Sequence, residues 1–217
     1  MNAKEFYNGT AFIYDKRHDN IYTSHLRSIE SSIVKKYAHG RVIDIGGGTG
    51  YHSSWVNVDI SINMLRLASG RRVLADANHL PFGKSFDTAL IMFSVLNLTG
   101  IEIIGKVREV LRKGGTLIIS YATPRDKTNG TLKRCEDDTK TIRILGKKLK
   151  LKLFCDLKER VEAFGFRHVE SRPVFSFIRP IWNRSDKMTM RRRILFLLDR
   201  ISKPSTGRMI VSVFNLA

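Results

Sequence analysis

The chain has 217 residues, 42% of them hydrophobic, which suits one large domain with an ample core. Its net charge of +18 is placed unevenly, +5 over residues 1–139 and +13 over residues 140–208, an asymmetry that a fold does not require and that points to an anionic partner. Two cysteines without CxxC or Cys/His spacing (Cys135, Cys155) argue against zinc or a disulfide framework, and a start without signal-peptide character and no apolar run near about 18 residues point to a soluble, cytosolic protein, with peripheral binding to a membrane left open.

In chain order, residues 5–22 gather Phe6, Tyr7, Phe12, Ile13, Tyr14, Ile21 and Tyr22 around Asp15, Lys16, Arg17 and His18. Leu26, Ile29, Ile33, Val34 and Tyr37 recur at helical spacing over residues 24–38, an amphipathic helix that His39-Gly40 ends. Val42-Ile43-Asp44-Ile45 is a short strand running into Gly46-Gly47-Gly48-Thr49-Gly50, a turn where the backbone approaches a ligand as no Cβ would allow. Val56 to Ser61 reads as a second strand ending in Asp59, and Arg72 to Ala77 as a third with Asp76 near its end. Ser85 to Phe93 is a nearly all-apolar fourth strand. A helix over 101–111, a Gly114-Gly115 turn and a fifth strand over 116–120 follow. Residues 142–153 alternate apolar and basic, a strand or hairpin with a basic outer face. A helix over 156–164, a sixth strand over 168–177, an insert over 179–207 with a helix at 190–201, and a final strand over 208–214 complete the chain. The 190–201 helix carries Ile194, Leu197, Leu198 and Ile201 on one face, with Arg191, Arg192, Arg193 and Arg200 elsewhere.

The glycine loop excludes two common readings. No lysine follows Gly50, so it is not a P-loop. A dinucleotide fingerprint started at Gly46 fails at Tyr51, and one started at Gly48 fails at Ser53. What remains is Asp44-x-Gly46-x-Gly48-x-Gly50, followed by Asp59, by Asp76, by the apolar run to Phe93 and by Gly114-Gly115 with its strand. In order and approximate spacing, residues 40–121 resemble the class I S-adenosylmethionine (SAM) dependent methyltransferases.

The resemblance implies an α/β fold: a Rossmann-like, seven-stranded, mostly parallel sheet with helices on both faces and the last strand antiparallel between the fifth and sixth. It implies SAM as cofactor, with Asp44, Gly46, Gly47, Gly48, Gly50, Asp59, Ile60, Met64, Asp76, Ala77 and Phe93 as binding residues. Asp59 is placed for both ribose hydroxyls, since a carboxylate offers two acceptor oxygens. One domain over 1–217 is expected, with 1–23 as an N-terminal lid shaping the acceptor pocket and 123–155 and 179–207 as basic insertions. One departure stands out. Only eight residues separate Gly50 from Asp59, room for at most about one and a half turns, so the first crossover helix is truncated or replaced by a tight turn.

Methyl transfer from a sulfonium is an in-line displacement in which orientation can contribute ~7–11 kcal/mol, and a base matters only when the acceptor loses a proton early. No catalytic residue is assigned, although His18, His25, His52 and His79 sit near ligand-facing segments. No metal is implied. Phe93-Ser94-Val95-Leu96 lacks the Asp/Asn-Pro-Pro-aromatic signature of exocyclic-amine enzymes, and neither cysteine has a setting for a thiolate nucleophile. The favoured acceptor is a small molecule or a lipid- or quinone-like compound. An RNA acceptor held by the basic C-terminal third and a catalytically silent binding subunit are the alternatives.

Overall fold

The computed structural model describes residues 2–52, 54–93, 95–127, 136–178, 180 and 187–217. Helix α1 (Ala3–His18) is capped by Asn2, whose side chain accepts from the Glu5 N–H. The aromatic N-terminal segment does not run on unbroken. Asn20 Oδ1 accepts from the N–H groups of Tyr22 and Thr23 and starts a second helix, α2 (Ile21–Tyr37).

Strand β1 (Val42–Ile45) passes to β2 (Val56–Asp59) through turns, with no helix among the described residues between them, so the crossover is the tight turn. Then come α3 (Ile62–Leu67), capped by Ser61, and the short strand β3 (Arg72–Leu74). Strand β4 (Phe86–Ile91), helices α4 (Val95–Thr99) and α5 (Ile103–Val110), and the long strand β5 (Leu111–Ala122) follow. The hairpin is β6 (Asp138–Ile144) and β7 (Lys147–Leu153). The chain ends with α6 (Lys158–Glu162), β8 (Phe166–Val174), α7 (Met190–Leu198), a 3-10 turn at Asp199–Ile201 and β9 (Met209–Leu216).

The main sheet runs β3-β2-β1-β4-β5-β9-β8. Strands β3, β2, β1, β4 and β5 are parallel, while β9 is antiparallel to both β5 and β8, between which it lies. This is the expected seven-stranded Rossmann-like arrangement. Its central strands are buried on both faces, which is why β4 reads as an apolar run rather than an alternation. Ala89 and Ile91 pack with Val107 and Val110 of α5 on one face; Leu90 and Met92 pack with Tyr22, Leu26 and Ile33 of α2 on the other. The strand order reverses at β1 and β4, so their carboxyl ends open a crevice.

The hairpin realises the period-two pattern: Leu149, Leu151 and Leu153 are buried and Lys148, Lys150 and Lys152 exposed. Buried Asn97 holds it to the sheet, its Nδ2 donating to the carbonyls of Ala122 and Lys152 while its Oδ1 accepts from the Ala122 N–H. Cys155 is disulfide-bonded, a bond that the cysteine spacing did not suggest; Cys135 lies outside the described residues. The sequence expectations for Ser53, Ser94, residues 128–135, Arg179 and residues 181–186 also lie outside them. No helix among the described residues is long and apolar enough to cross a membrane.

Candidate functional site

The glycine turn sits at the carboxyl end of β1. Gly46 has φ +72 and an added Cβ would lie 2.6 Å from Val95 Cγ2; Gly48 has φ +54 and would meet Met64 Cε at 2.9 Å. Both positions need the left-handed region; at Gly46 Val95 also leaves no room for a side chain, while at Gly48 only the flexible end of Met64 stands in the way. The turn is held from β2: Asp59 Oδ2 accepts from the Gly48 N–H at 3.0 Å and Asn57 Nδ2 donates to the Gly48 carbonyl at 3.1 Å. Asp59 Oδ1 accepts from the Ser61 N–H at 2.8 Å, so the carboxylate is oriented by backbone before anything binds, with lone pairs on both oxygens left over. Burial raises its pKa and these backbone N–H groups pull it back in part.

A cavity of about 450 Å³ opens here, within the ordinary small-ligand range of roughly 300–1,000 Å³. Gly46, Gly48, Asp59, Ile60, Met64, Asp76, Ala77 and Phe93 all border it. Asp76 sits just past β3 and turns the chain by accepting from Asn78 N–H and Nδ2 with one oxygen. Asp44 and Gly47 border an adjoining polar recess of about 40 Å³ that shares Gly46, Tyr14, Met92 and Phe93 with the larger cavity. Gly50 stands at the exposed end of the turn and borders neither.

Asp44 is the unusual group. It is 1% exposed, its Oδ1 has no hydrogen-bond partner, and neither does Oδ1 of Asn57, its neighbour across the β1–β2 register. Burial pushes its pKa up to about 7; His52 opposes the shift, and the carboxylates of Glu30 and Asp59 add to it. An ionised carboxylate of this kind calls for a cationic donor.

Several residues of the site escaped the sequence reading. Glu30 of α2 is buried beneath the recess; it accepts from Ser120 Oγ, and His52 Nε2 lies 3.6 Å from its other oxygen. Burial works against a charge on His52, but Glu30 and Asp44 outweigh it and raise its pKa. Glu30 did leave a trace: it falls on the Leu26–Ile33 face of α2, where an acid is out of place in a helix packed on a sheet. Ser120 Oγ in turn accepts from the Phe93 N–H at 2.6 Å. Phe93 has φ +49, a strained conformation for a residue with a large side chain, and this chain of hydrogen bonds helps to hold it there.

Helix α1 roofs the site, bringing Tyr7 and Tyr14 to the large cavity. Asn8 Oδ1 accepts from Ser61 Oγ and the Asn63 N–H, and Asp15 accepts from Thr49 Oγ1, so the roof is latched to α3 and to the glycine turn. Burial, with the Asp59 charge second, pushes the Tyr7 phenol up to about 12, and burial drives Tyr14 higher still, so both remain neutral donors.

Behind the roof lies a third cavity of about 90 Å³ between α1 and the hairpin, bordered by Tyr7, Tyr14, His18, Phe93, Ile142 and Leu151 among others. His18 Nδ1 donates to the Tyr14 carbonyl at 2.8 Å, which fixes the tautomer with the lone pair on Nε2. Burial lowers its pKa to about 4, and its ring meets Phe93 edge-on at 5.0 Å. The other histidines singled out are placed differently. His25 pairs with Asp199 and stacks on Phe196, and His79 is an exposed residue of the turn after Asp76.

Residues 43–119 match the model of a family described as a methyltransferase domain. A SAM-dependent methyltransferase from Clostridium acetobutylicum is similar in structure at 14% identity, covering 98% of this chain and 99% of that one with a TM-score of 0.60. A glycopeptide N-methyltransferase complexed with S-adenosyl-L-homocysteine (SAH) is similar at 14% identity, 88% and 89% coverage and a TM-score of 0.60. The [4+2]-cyclase SpnF is similar at 14% identity, 98% and 94% coverage and a TM-score of 0.62. A search of curated proteins finds no match. The matched segment and the strand order define the fold of a class I SAM-dependent methyltransferase.

Proposed function

We propose that the chain is a methyltransferase that uses SAM and transfers its methyl group to a small, largely apolar acceptor. The observation that carries this reading is the meeting of the glycine turn, Asp59 and Asp76 around one cavity, with Asp44, one of whose oxygens is unpartnered, on its polar recess. SAM fits those groups. Asp44 would accept from its ammonium, Asp59 would take its ribose hydroxyls, and Met64, Ile60, Asp76 and Ala77 would hold its base. Bound there, it supplies a methyl group activated by a positively charged sulfur.

The chain's own residues then orient and exclude. Tyr14 and Phe93 border all three cavities, so they stand where the cofactor chamber and the 90 Å³ chamber meet, and we assign the latter to the acceptor. Neutral His18 offers Nε2 as a hydrogen-bond acceptor to an O–H or N–H of that acceptor. A pKa near 4 makes the ring a poor proton acceptor at neutral pH, so it positions the nucleophile rather than deprotonating it early.

The similarity to a cyclase means that this fold does not by itself fix the chemistry, so turnover has to be measured. Labelled SAM incubated with the protein and a cell extract separated into RNA, lipid and small-metabolite fractions should label the small-metabolite or lipid fraction. Label in RNA alone would favour the second reading, an RNA acceptor, which the exposed Lys148, Lys150 and Lys152 support. Absence of label in every fraction would oppose both.

A further inference from the structure

Helix α7 points its most apolar stripe away from the protein. At 3.6 residues per turn, Met190, Ile194 and Leu197 fall within one narrow sector of α7, and Ile201 follows in the 3-10 turn that continues it. They are 71%, 51%, 55% and 81% exposed. The sequence pattern puts Ile194, Leu197, Leu198 and Ile201 together, and in a helix packed on a sheet that face would turn inward; of these only Leu198 is half-buried. Here the inward side is taken by Phe196, which stacks on His25 at 4.0 Å and meets Tyr22 and Phe175 edge-on.

The orientation is fixed. Asp199 is buried and accepts from the Phe175 and Ser176 N–H groups, each at 2.8 Å, and pairs with His25 at 2.9 Å. The helix therefore cannot roll to hide the stripe without leaving buried Asp199 unpaired. Exposed Arg191, Arg193 and Arg200 flank it, and exposed Phe177, next to Ser176, adds a further apolar group close to Asp199.

We propose that α7 seats the protein on the surface of an anionic lipid bilayer, with the aliphatic stripe at the boundary of headgroups and acyl chains and the arginines on lipid phosphates. A fixed, convex row of aliphatic side chains edged by cations matches that boundary in both polarity and charge. Residues 167–208 carry eleven basic and three acidic side chains, so the surrounding segment shares the sign. RNA would use the arginines but has no use for an aliphatic row, because bases stack on aromatic or guanidinium planes. The proposal does not depend on methyl transfer.

The test is flotation of the full chain with vesicles of phosphatidylcholine alone and of phosphatidylcholine with about one-third phosphatidylglycerol. Binding to the anionic vesicles only is expected, weakening as salt screens the arginines. Replacing Ile194→Asp together with Ile201→Asp should lower the partition coefficient at least ~10-fold, since burying an apolar group and desolvating a charge differ by more than the 1.4 kcal/mol that a factor of ten represents. Arg191→Gln and Arg193→Gln should each lower it about fivefold. Thermal melts guard against misfolding, and the milder pair Ile194→Ser and Ile201→Ser replaces the aspartates if those variants melt early. Three results would overturn the proposal. One is no flotation on anionic vesicles, and another is flotation that the double variant leaves intact. The third is a concentration-dependent dimer, abolished by the double variant and accompanied by no flotation, which would make the stripe an interface between copies.

Discussion

Replacing Asp44 by asparagine should make the free protein more stable and a poorer binder of its cofactor. The side chain is buried, its Oδ1 lacks a partner, and its pKa is raised from 3.8 to about 7. A raised carboxylate pKa means that the unfolded chain ionises first, so stability is lost as pH climbs from about 4 to about 7 and the full cost is felt above that. About three pKa units at ~1.36 kcal/mol each set a ceiling near 4 kcal/mol. Asparagine removes the charge and brings an N–H₂ beside the unpartnered Asn57 Oδ1, so a gain of ~2–4 kcal/mol at pH 8 is expected. In a domain of this size that raises Tm by roughly 5–15 °C. At pH 4 the gain should nearly vanish, because wild-type Asp44 is then protonated in the folded state. Titration calorimetry should show SAM binding weakened roughly 10–100-fold at pH 8, the worth of a charge-assisted hydrogen bond. Equal melting temperatures for the two proteins at pH 8, or the same gain at both pH values, would refute the reasoning.

Three further outcomes follow. Wild-type affinity for SAM should tighten by up to ~10-fold per unit from pH 6 to pH 7 as Asp44 ionises, with little change by pH 8; a flat calorimetric profile would count against pairing with the cofactor's ammonium. Gly46→Ala should cost ~1–3 kcal/mol in urea unfolding, because the left-handed backbone and the Val95 contact both penalise a Cβ, and should abolish SAM binding. His18→Ala should leave SAM affinity within about twofold while raising KM for the acceptor, with wild-type rates insensitive to His18 protonation from pH 6 to 8; lost SAM affinity would place the ring in the other chamber.

The sheet was legible because strands buried on both faces leave uninterrupted apolar runs such as Phe86–Ile91, and the hairpin because one-sided burial leaves a strict alternation over Lys147–Leu153. Eight of the eleven residues singled out from the sequence border the large cavity, since glycines and strand-end acids announce themselves locally. Glu30 did not, because what brings it to Asp44 is the packing of α2 on the sheet, a long-range event; His52, singled out only as lying near a ligand-facing segment, meets Glu30 from the end of the glycine turn. The outward stripe of α7 was half legible. Periodicity reveals that a helix has two unlike faces but not which one the core takes, and Phe196 rather than Leu197 decided it. The break between α1 and α2 at Asn20 was carried by a capping side chain inside a run of aromatics that reads as continuous.

The most direct measurement is titration calorimetry of the purified full chain with SAH, which carries the same amino-acid and nucleoside ends as SAM without the transferable methyl. One molecule should bind per chain, with Asp59→Ala losing most of the affinity and a circular dichroism spectrum unchanged from wild type. No heat at millimolar SAH from a folded protein would contradict the assignment of this cavity to the cofactor.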